Sequence, residues 1–202
     1  KAVTDYASTT GTTIVLGSGA AADDILEVVV YDAFSVADTV SAVDGGAFAS
    51  NVSFGADISS STLGTSNFRA GVNAGNSITS GGNYNTVVGD EAGTAITTGD
   101  YNTALGYQAG AAVTTGEQNV IIGPLAGDAL TDADFNVAVG LAALSADTLC
   151  SRSTAIGHGA LENQNFTSAT DTYNTAVGYV AGLSVTTGKQ NTLIGGLAGD
   201  AK

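Results

Sequence analysis

A short internal repeat constrains this chain more than any other feature. Aligned on the glycine of Asn-Thr-x-x-Gly, eight copies fall at Gly71, Gly89, Gly106, Gly123, Gly140, Gly157, Gly178 and Gly195, with spacings of 18, 17, 17, 17, 17, 21 and 17 residues. Four residues before each glycine stand Asn67, Asn85, Asn102, Asn119, Asn136, Ser153, Asn174 and Asn191. Three residues after it stands alanine in every copy: Ala74, Ala92, Ala109, Ala126, Ala143, Ala160, Ala181 and Ala198. Just before it stand Ala70, Val88, Leu105, Ile122, Val139, Ile156, Val177 and Ile194. Most copies add an apolar residue seven after the glycine (Ile78, Ile96, Val113, Leu130, Val185), then Thr-Thr-Gly or a relative, as in Thr114-Thr115-Gly116. A unit of about 17 residues cannot bury a core alone, so such units must stack.

The expected fold is all-β: a β-solenoid or β-roll of about 17-residue coils, stepping at the strand spacing of ~4.8 Å. Two short strands per coil are expected, one at Asn-Thr-x-Val-Gly and one near Ala-Val-Thr-Thr. Glycines, among them Gly89, Gly106, Gly123, Gly140, Gly157, Gly178 and Gly195, mark corners. The asparagines Asn85, Asn102, Asn119, Asn136, Asn174 and Asn191 read as structural. Asparagine tolerates left-handed backbone and can bond along a ladder of identical side chains. The constant alanine and the residue before the repeat glycine are both expected to face inward. A continuous interior row through Val88, Leu105 and Ile122 is the geometric premise of this reading.

The copies deviate in places. Ala133 and Cys150 take the glycine position of the Thr-Thr-Gly corner, and Leu144 and Leu161 replace the glycine that follows the constant alanine. Four extra residues fall within 162–173. They are expected to loop out of a turn, where recognition sites often lie.

Composition agrees with stacked strands. Glycine (28 residues) and small or β-branched residues dominate, methionine and tryptophan are missing, and 12% of residues are charged. The net charge of −14 argues against nucleic acid and anionic membranes, because both need lysine and arginine. The acids are expected to keep the molecule soluble. No run approaches the ~18 apolar residues that span a bilayer, so membrane insertion is not expected. One cysteine, Cys150, excludes an intrachain disulfide, and one histidine, His158, leaves little for a metal cluster or a catalytic triad. No spacing suits a cofactor, a zinc ion or a phosphate cradle. Asp90, Glu91, Asp128 and Asp200 are acids near corners, but nothing else marks them as a glycan-cleaving pair, so an enzyme is not expected.

Residues 1–40 lack the repeat. Thr12–Leu16 and Ile25–Tyr31 read as strands of a small β-module, the end of a larger one. Residues 41–66 are a Gly/Ser/Ala-rich connector with a short strand expected at Val52–Phe54, and 67–202 form the eight-copy shaft. A chain that opens on Lys1 is expected to be a piece of a longer or processed protein.

Asn102-Thr103-Ala104-Leu105-Gly106-Tyr107-Gln108-Ala109-Gly110, with Thr114-Thr115-Gly116, resembles repeats of predicted tail-fibre proteins of marine phages. It is also similar to the head β-rolls of trimeric autotransporter adhesins, whose repeats are shorter and often carry serine where threonine stands here. Gly11–Leu16, Ala20–Tyr31 and Phe34–Val40 look like a small β-module of marine tailed-phage fibres. The resemblance implies a parallel homotrimeric fibre on a virion, with other fibre or virion proteins as partners. A bacterial trimeric surface adhesin is the alternative, which a secretion leader and membrane anchor would favour. The residues permit a trimer independently: the core is thin, and a lone roll is expected to expose a small-residue face that copies would cover.

Two surfaces could carry recognition. The residues before the repeat asparagine (Tyr84, Tyr101, Gln118, Phe135, Arg152, Tyr173, Gln190) align into a stripe. Tyr84, Tyr101, Phe135 and Tyr173 are candidate contacts for a host-surface glycan, weighed against simple stacking along an edge. The threonine pairs raise ice binding, a weaker alternative. Neighbouring residues of a strand face opposite ways, and Asp132 and Leu149 interrupt the column.

Overall fold

The computed structural model describes residues 64–200, together with the backbone of 6–7 and 15–16. The chain divides into two units, Lys1–Ser53 and Phe54–Lys202. In the first, β1 (Tyr6–Ala7) pairs antiparallel with β2 (Val15–Leu16), which is the end of the strand expected at Thr12–Leu16. The strands expected at Ile25–Tyr31 and Val52–Phe54 lie outside the described residues.

The second unit is a β-solenoid. One three-residue strand per repeat joins a single parallel sheet of eight: β3 (Phe68–Ala70), β4 (Thr86–Val88), β5 (Thr103–Leu105), β6 (Val120–Ile122), β7 (Val137–Val139), β9 (Thr154–Ile156), β11 (Thr175–Val177) and β12 (Thr192–Ile194). Eight strands enclose seven turns, and seven steps of ~4.8 Å give ~34 Å along the stack. The register is strict: Thr103 pairs with Val120, Ala104 with Ile121 and Leu105 with Ile122, and so on down the sheet. The four-residue insertion leaves the β9–β11 register intact. The expected second strand forms only as a two-residue parallel pair, β8 (Cys150–Ser151) with β10 (Thr170–Asp171). Elsewhere the Thr-Thr corner is bent. Its first threonine still binds the next coil twice, as Thr131 does when its amide and its hydroxyl both donate to the Thr148 carbonyl at 2.9 Å.

The asparagine side chains join one coil to the next. The Oδ1 of Asn102 accepts the backbone N–H of Asn119 at 3.0 Å, and its Nδ2 donates to the Gly116 carbonyl at 2.8 Å. Both bonds reach the next repeat. Asn67, Asn85, Asn119 and Asn136 have Oδ1 atoms that accept the same way. Side-chain-to-side-chain bonds also run along the row, Asn119 to Asn102 at 3.0 Å and Asn136 to Asn119 at 3.2 Å. The left-handed backbone expected at asparagine instead belongs to the residue before it: Tyr84, Tyr101, Gln118, Phe135, Arg152, Tyr173 and Gln190 have φ between 52° and 64°. That twist turns the asparagine side chain into the stack.

The repeat glycines form a wall where backbones touch. Their φ lies between 122° and 139°, a region closed to L side chains, and a Cβ on Gly106 would sit 2.8 Å from the Gly123 carbonyl carbon.

The interior differs from expectation in one column. The constant alanines Ala92, Ala109, Ala126, Ala143, Ala160 and Ala181 are fully buried, as are Ile96, Val113 and Leu130. The residue before the repeat glycine is not: Leu105 is 45% exposed, Ile156 38% and Ile194 71%. Val88, Leu105 and Ile122 do stack in one continuous row, but the row is on the outside. The middle strand residue fills the core instead: Val87, Ala104, Ile121, Ala138, Ala155 and Ala176. Strand alternation explains this. The repeat asparagine is buried, so alternation turns the middle strand residue, two after it, inward and the residue before the glycine, three after it, outward.

Bulk is traded inside the core. Next to Val87 and Ile121 the chain keeps Gly93 and Gly110, where a Cβ would press on those side chains at 2.7 and 2.9 Å. In the coils whose middle strand residue is Ala138 or Ala155, Leu144 and Leu161 replace that glycine and are fully buried. At the first coil Arg69 takes the middle strand position, half-buried, and its guanidinium donates to the Gly75 carbonyl at 2.8 Å.

Asn102→Ala is expected to lower unfolding free energy by about 3 kcal/mol, because buried donors and acceptors lose their partners. Gly106→Ala is expected to cost about 3 kcal/mol or more through clash and forced φ. The exposed Thr98→Ala should change it by no more than about 0.5 kcal/mol. Equal urea midpoints for all three proteins would contradict the stacking described.

Candidate functional site

The outer face of the eight-stranded sheet is an unusual surface. Two columns point out from each strand. One holds Phe68, Thr86, Thr103, Val120, Val137, Thr154, Thr175 and Thr192, and the other runs from Ala70 through Val88 to Ile194. Neither contains a charged residue. The column just past the repeat glycine extends the apolar area, with Val72 68%, Tyr107 49%, Leu141 44% and Tyr179 61% exposed, and is interrupted by the exposed Asp90. His158 belongs to this column and stacks on Tyr179, with ring centroids 5.3 Å apart. Exposed apolar side chains gathered on one face are the kind of surface that marks an interaction site. Aliphatic side chains share this face with Ala70 and five threonines.

The aromatic stripe lies along an edge of the stack. Tyr84 and Tyr101, both about half exposed, stack with centroids 4.9 Å apart and planes 8° from parallel. The facing sides of these rings are therefore occupied. The guanidinium of Arg152 lies 4.5 Å above the Phe135 ring, and its Nε meets the Asp171 carboxylate at 3.2 Å. That pair is nearly half exposed and contributes at most about 1 kcal/mol. The Tyr173 hydroxyl donates to Asp171 at 3.3 Å. The ring edges, the hydroxyls and the end faces of the stack are what this stripe offers to a sugar.

Two of the acids near corners have neutral hydrogen-bond partners. Glu91 accepts the Gln108 amide at 2.6 Å, and Asp200 accepts the Ser184 hydroxyl at 2.9 Å. Asp128 and Asp200 lie four coils apart, ~19 Å along the stack, beyond the span of a glycosidase carboxylate pair. Desolvation by burial raises the Asp128 carboxyl above its ordinary value of 3.8. No group of three or more His, Cys, Asp or Glu residues is placed to hold a metal among the described residues. No described helix is long and apolar enough to cross a membrane.

One buried polar set escaped the sequence reading. Counting seven residues from Gly140 and Gly157 gives Asp147 and Gln164, which occupy the column of Ile96, Val113 and Leu130 and are fully buried. They sit beside Ser153, the one repeat position without asparagine, and beside Cys150. Burial, reinforced by the Asp147 carboxyl, pushes the Cys150 thiol far above its usual range, so it stays protonated.

The native Cys150 should resist a thiol reagent and react at once in denaturant; rapid native labelling would refute its burial. Asp128→Asn should raise the thermal midpoint at neutral pH. Burial disfavours the charged carboxylate, so the penalty appears as pH rises through the folded-state value and vanishes below the ordinary carboxyl range. An unchanged difference between the two proteins from acid to neutral pH would contradict this origin.

Comparison with protein-family models, with curated proteins and with solved structures returns no match to this chain.

Proposed function

We propose that this chain is a structural shaft segment of a phage tail fibre, a parallel homotrimer that spaces and presents a host-recognition tip. The observation that carries the reading is the outer sheet face. Its two strand columns are free of charge along their whole length, one aliphatic and the other rich in threonine, on a chain that is otherwise strongly acidic. A lone copy leaves it in water. A second copy has the same axial repeat, so parallel in-register chains bring like rows together at every level, around an axis parallel to the stack. Aromatic and aliphatic side chains with no charge at the centre are the composition of such contacts. Most acids lie elsewhere on the coils, at positions such as Asp128, Asp132 and Asp134, while Asp90 stands in the flanking column just past the repeat glycine. The resemblance of the Asn-Thr-x-x-Gly repeat to phage fibre repeats supports the virion location. The Tyr84–Tyr101 stripe is the shaft's candidate contact with host-surface glycans.

Ice binding draws on the same face. Thr86, Thr103, Thr154, Thr175 and Thr192 form an outward column beside the Val/Leu/Ile column. The hydroxyls of the first threonines in the Thr-Thr corners, by contrast, are used within the stack. Thermal hysteresis in solution would favour ice binding over the fibre.

The wild-type protein should have the native mass of three 19.7 kDa chains. Leu105→Lys combined with Ile156→Lys should reduce it to one chain with the β-signal in circular dichroism retained. A monomeric wild type, or an undiminished trimer in the double variant, would overturn the interface. Antibody against this segment should decorate fibres of the parent virion in electron micrographs, and labelling confined to a bacterial surface would favour the adhesin.

A further inference from the structure

Repeats this similar raise a register problem. A Thr-x-apolar-Gly strand could pair with the strand two repeats away as readily as with its neighbour, looping one coil out, because the same columns would still meet. Coils five to seven contain the departure from this uniformity. Asp147 and Gln164 stack in the column otherwise held by Ile96, Val113 and Leu130, and the Gln164 Nε2 donates to Asp147 Oδ2 at 3.0 Å. The same nitrogen donates to the Ser153 hydroxyl at 3.0 Å, and the Gln164 carbonyl oxygen accepts from Asn174 Nδ2 at 2.6 Å. The Ser153 hydroxyl is also bonded to that of Thr172. The other carboxyl oxygen of Asp147 accepts the backbone N–H groups of Leu149, Cys150 and Phe166 at 3.1–3.3 Å. Asp147, Ser153, Gln164 and Thr172 are fully buried and Asn174 is 1% exposed, so water cannot substitute for any of these bonds.

We propose that this buried polar set is a register lock, which allows coils five, six and seven to stack in only one order. The set closes only when Gln164 lies directly on Asp147, with Ser153 on one side and Asn174 on the other. Skipping a coil would set Asp147 or Gln164 against Leu130 or Val185, with buried polar atoms and no partners. Each orphaned group lowers the population of the misregistered state roughly tenfold or more. Buried polar groups that fix register at the expense of stability have precedent in coiled coils. The lock also accounts for the odd features that cluster here. Serine replaces asparagine because Gln164 fills the space, and the 21-residue coil brings Thr172 to the Ser153 hydroxyl while keeping the strands aligned.

The test restores the consensus: Asp147→Leu, Gln164→Val and Ser153→Asn together. The full chain is refolded from urea, and hydrogen exchange is read by mass spectrometry over residues 141–177. The wild type should give one protected population. The triple variant should fold with an equal or higher urea midpoint, yet give two or more populations, one lacking protection over a whole repeat. Asp147→Leu and Gln164→Val singly should each lower the folded-to-unfolded ratio about tenfold, and the pair together by less than either. A triple variant that refolds to a single fully protected population overturns the proposal. So does one that fails to fold, or a pair no more stable than the single variants, since the set would then serve stability alone.

Discussion

Stacking of each coil on the next is the constraint on which everything else in this molecule depends. A 17-residue coil has only a three-residue strand and a few turn bonds of its own. Its asparagine amide, its first corner threonine and its glycine backbone all find partners one repeat away. A coil removed from the stack therefore loses its polar partners as well as its apolar cover. This makes the structure quasi-one-dimensional, with stability gathered at interfaces between neighbours.

That dependence explains the tolerance of strained backbone. Four positions per coil have positive φ: the residue before the asparagine, the repeat glycine, the second residue after it and the fourth. Several are held by side chains that disfavour it, including Tyr101, Leu144, Leu161 and Val180. Each costs of order 1–3 kcal/mol. The cost is offset because every such corner aims a side chain or a peptide group at the neighbouring coil. The twist at Tyr101 turns Asn102 inward, and the twist at Leu144 and Leu161 puts bulk where Ala138 and Ala155 leave space. Glycine is needed where backbone meets backbone, at the Gly106–Gly123 contacts, since no rearrangement of side chains could make room there.

The same stack has two kinds of surface. Its corners hold the acids, the threonine hydroxyls and the aromatic stripe. Its sheet face is uncharged, with an aliphatic column beside one rich in threonine. A stack with one such face is suited to lateral association with copies of identical pitch, which is the physical basis for the fibre we propose. The polar set around Asp147 belongs to the interior and bears on how a uniform repeat finds a single arrangement.

Much of this was legible in the sequence. The period, the number of repeats, the strand at Asn-Thr-x-x-Gly, the buried alanine column and the structural role of asparagine follow from spacing alone. The facing of Val88, Leu105 and Ile122 was not legible. Bulky apolar residues suggest an interior, and a polar asparagine suggests an exterior, but in a strand a one-residue shift of phase exchanges the two faces. The phase was decided by the tertiary structure, because only the adjacent coil supplies partners that let Asn102 be buried. The second strand failed for a related reason: the corner threonines bind the next coil through hydroxyls as well as amides and stay bent. Asp147 and Gln164 could have been found by counting from Gly140 and Gly157. Their partnership with Ser153, Thr172 and Asn174 could not, since those residues meet only when coil lies on coil. The sequence by itself determined that the chain must stack, and the stack determined which side of each strand meets water, because burial of a polar side chain depends on partners that local sequence does not contain.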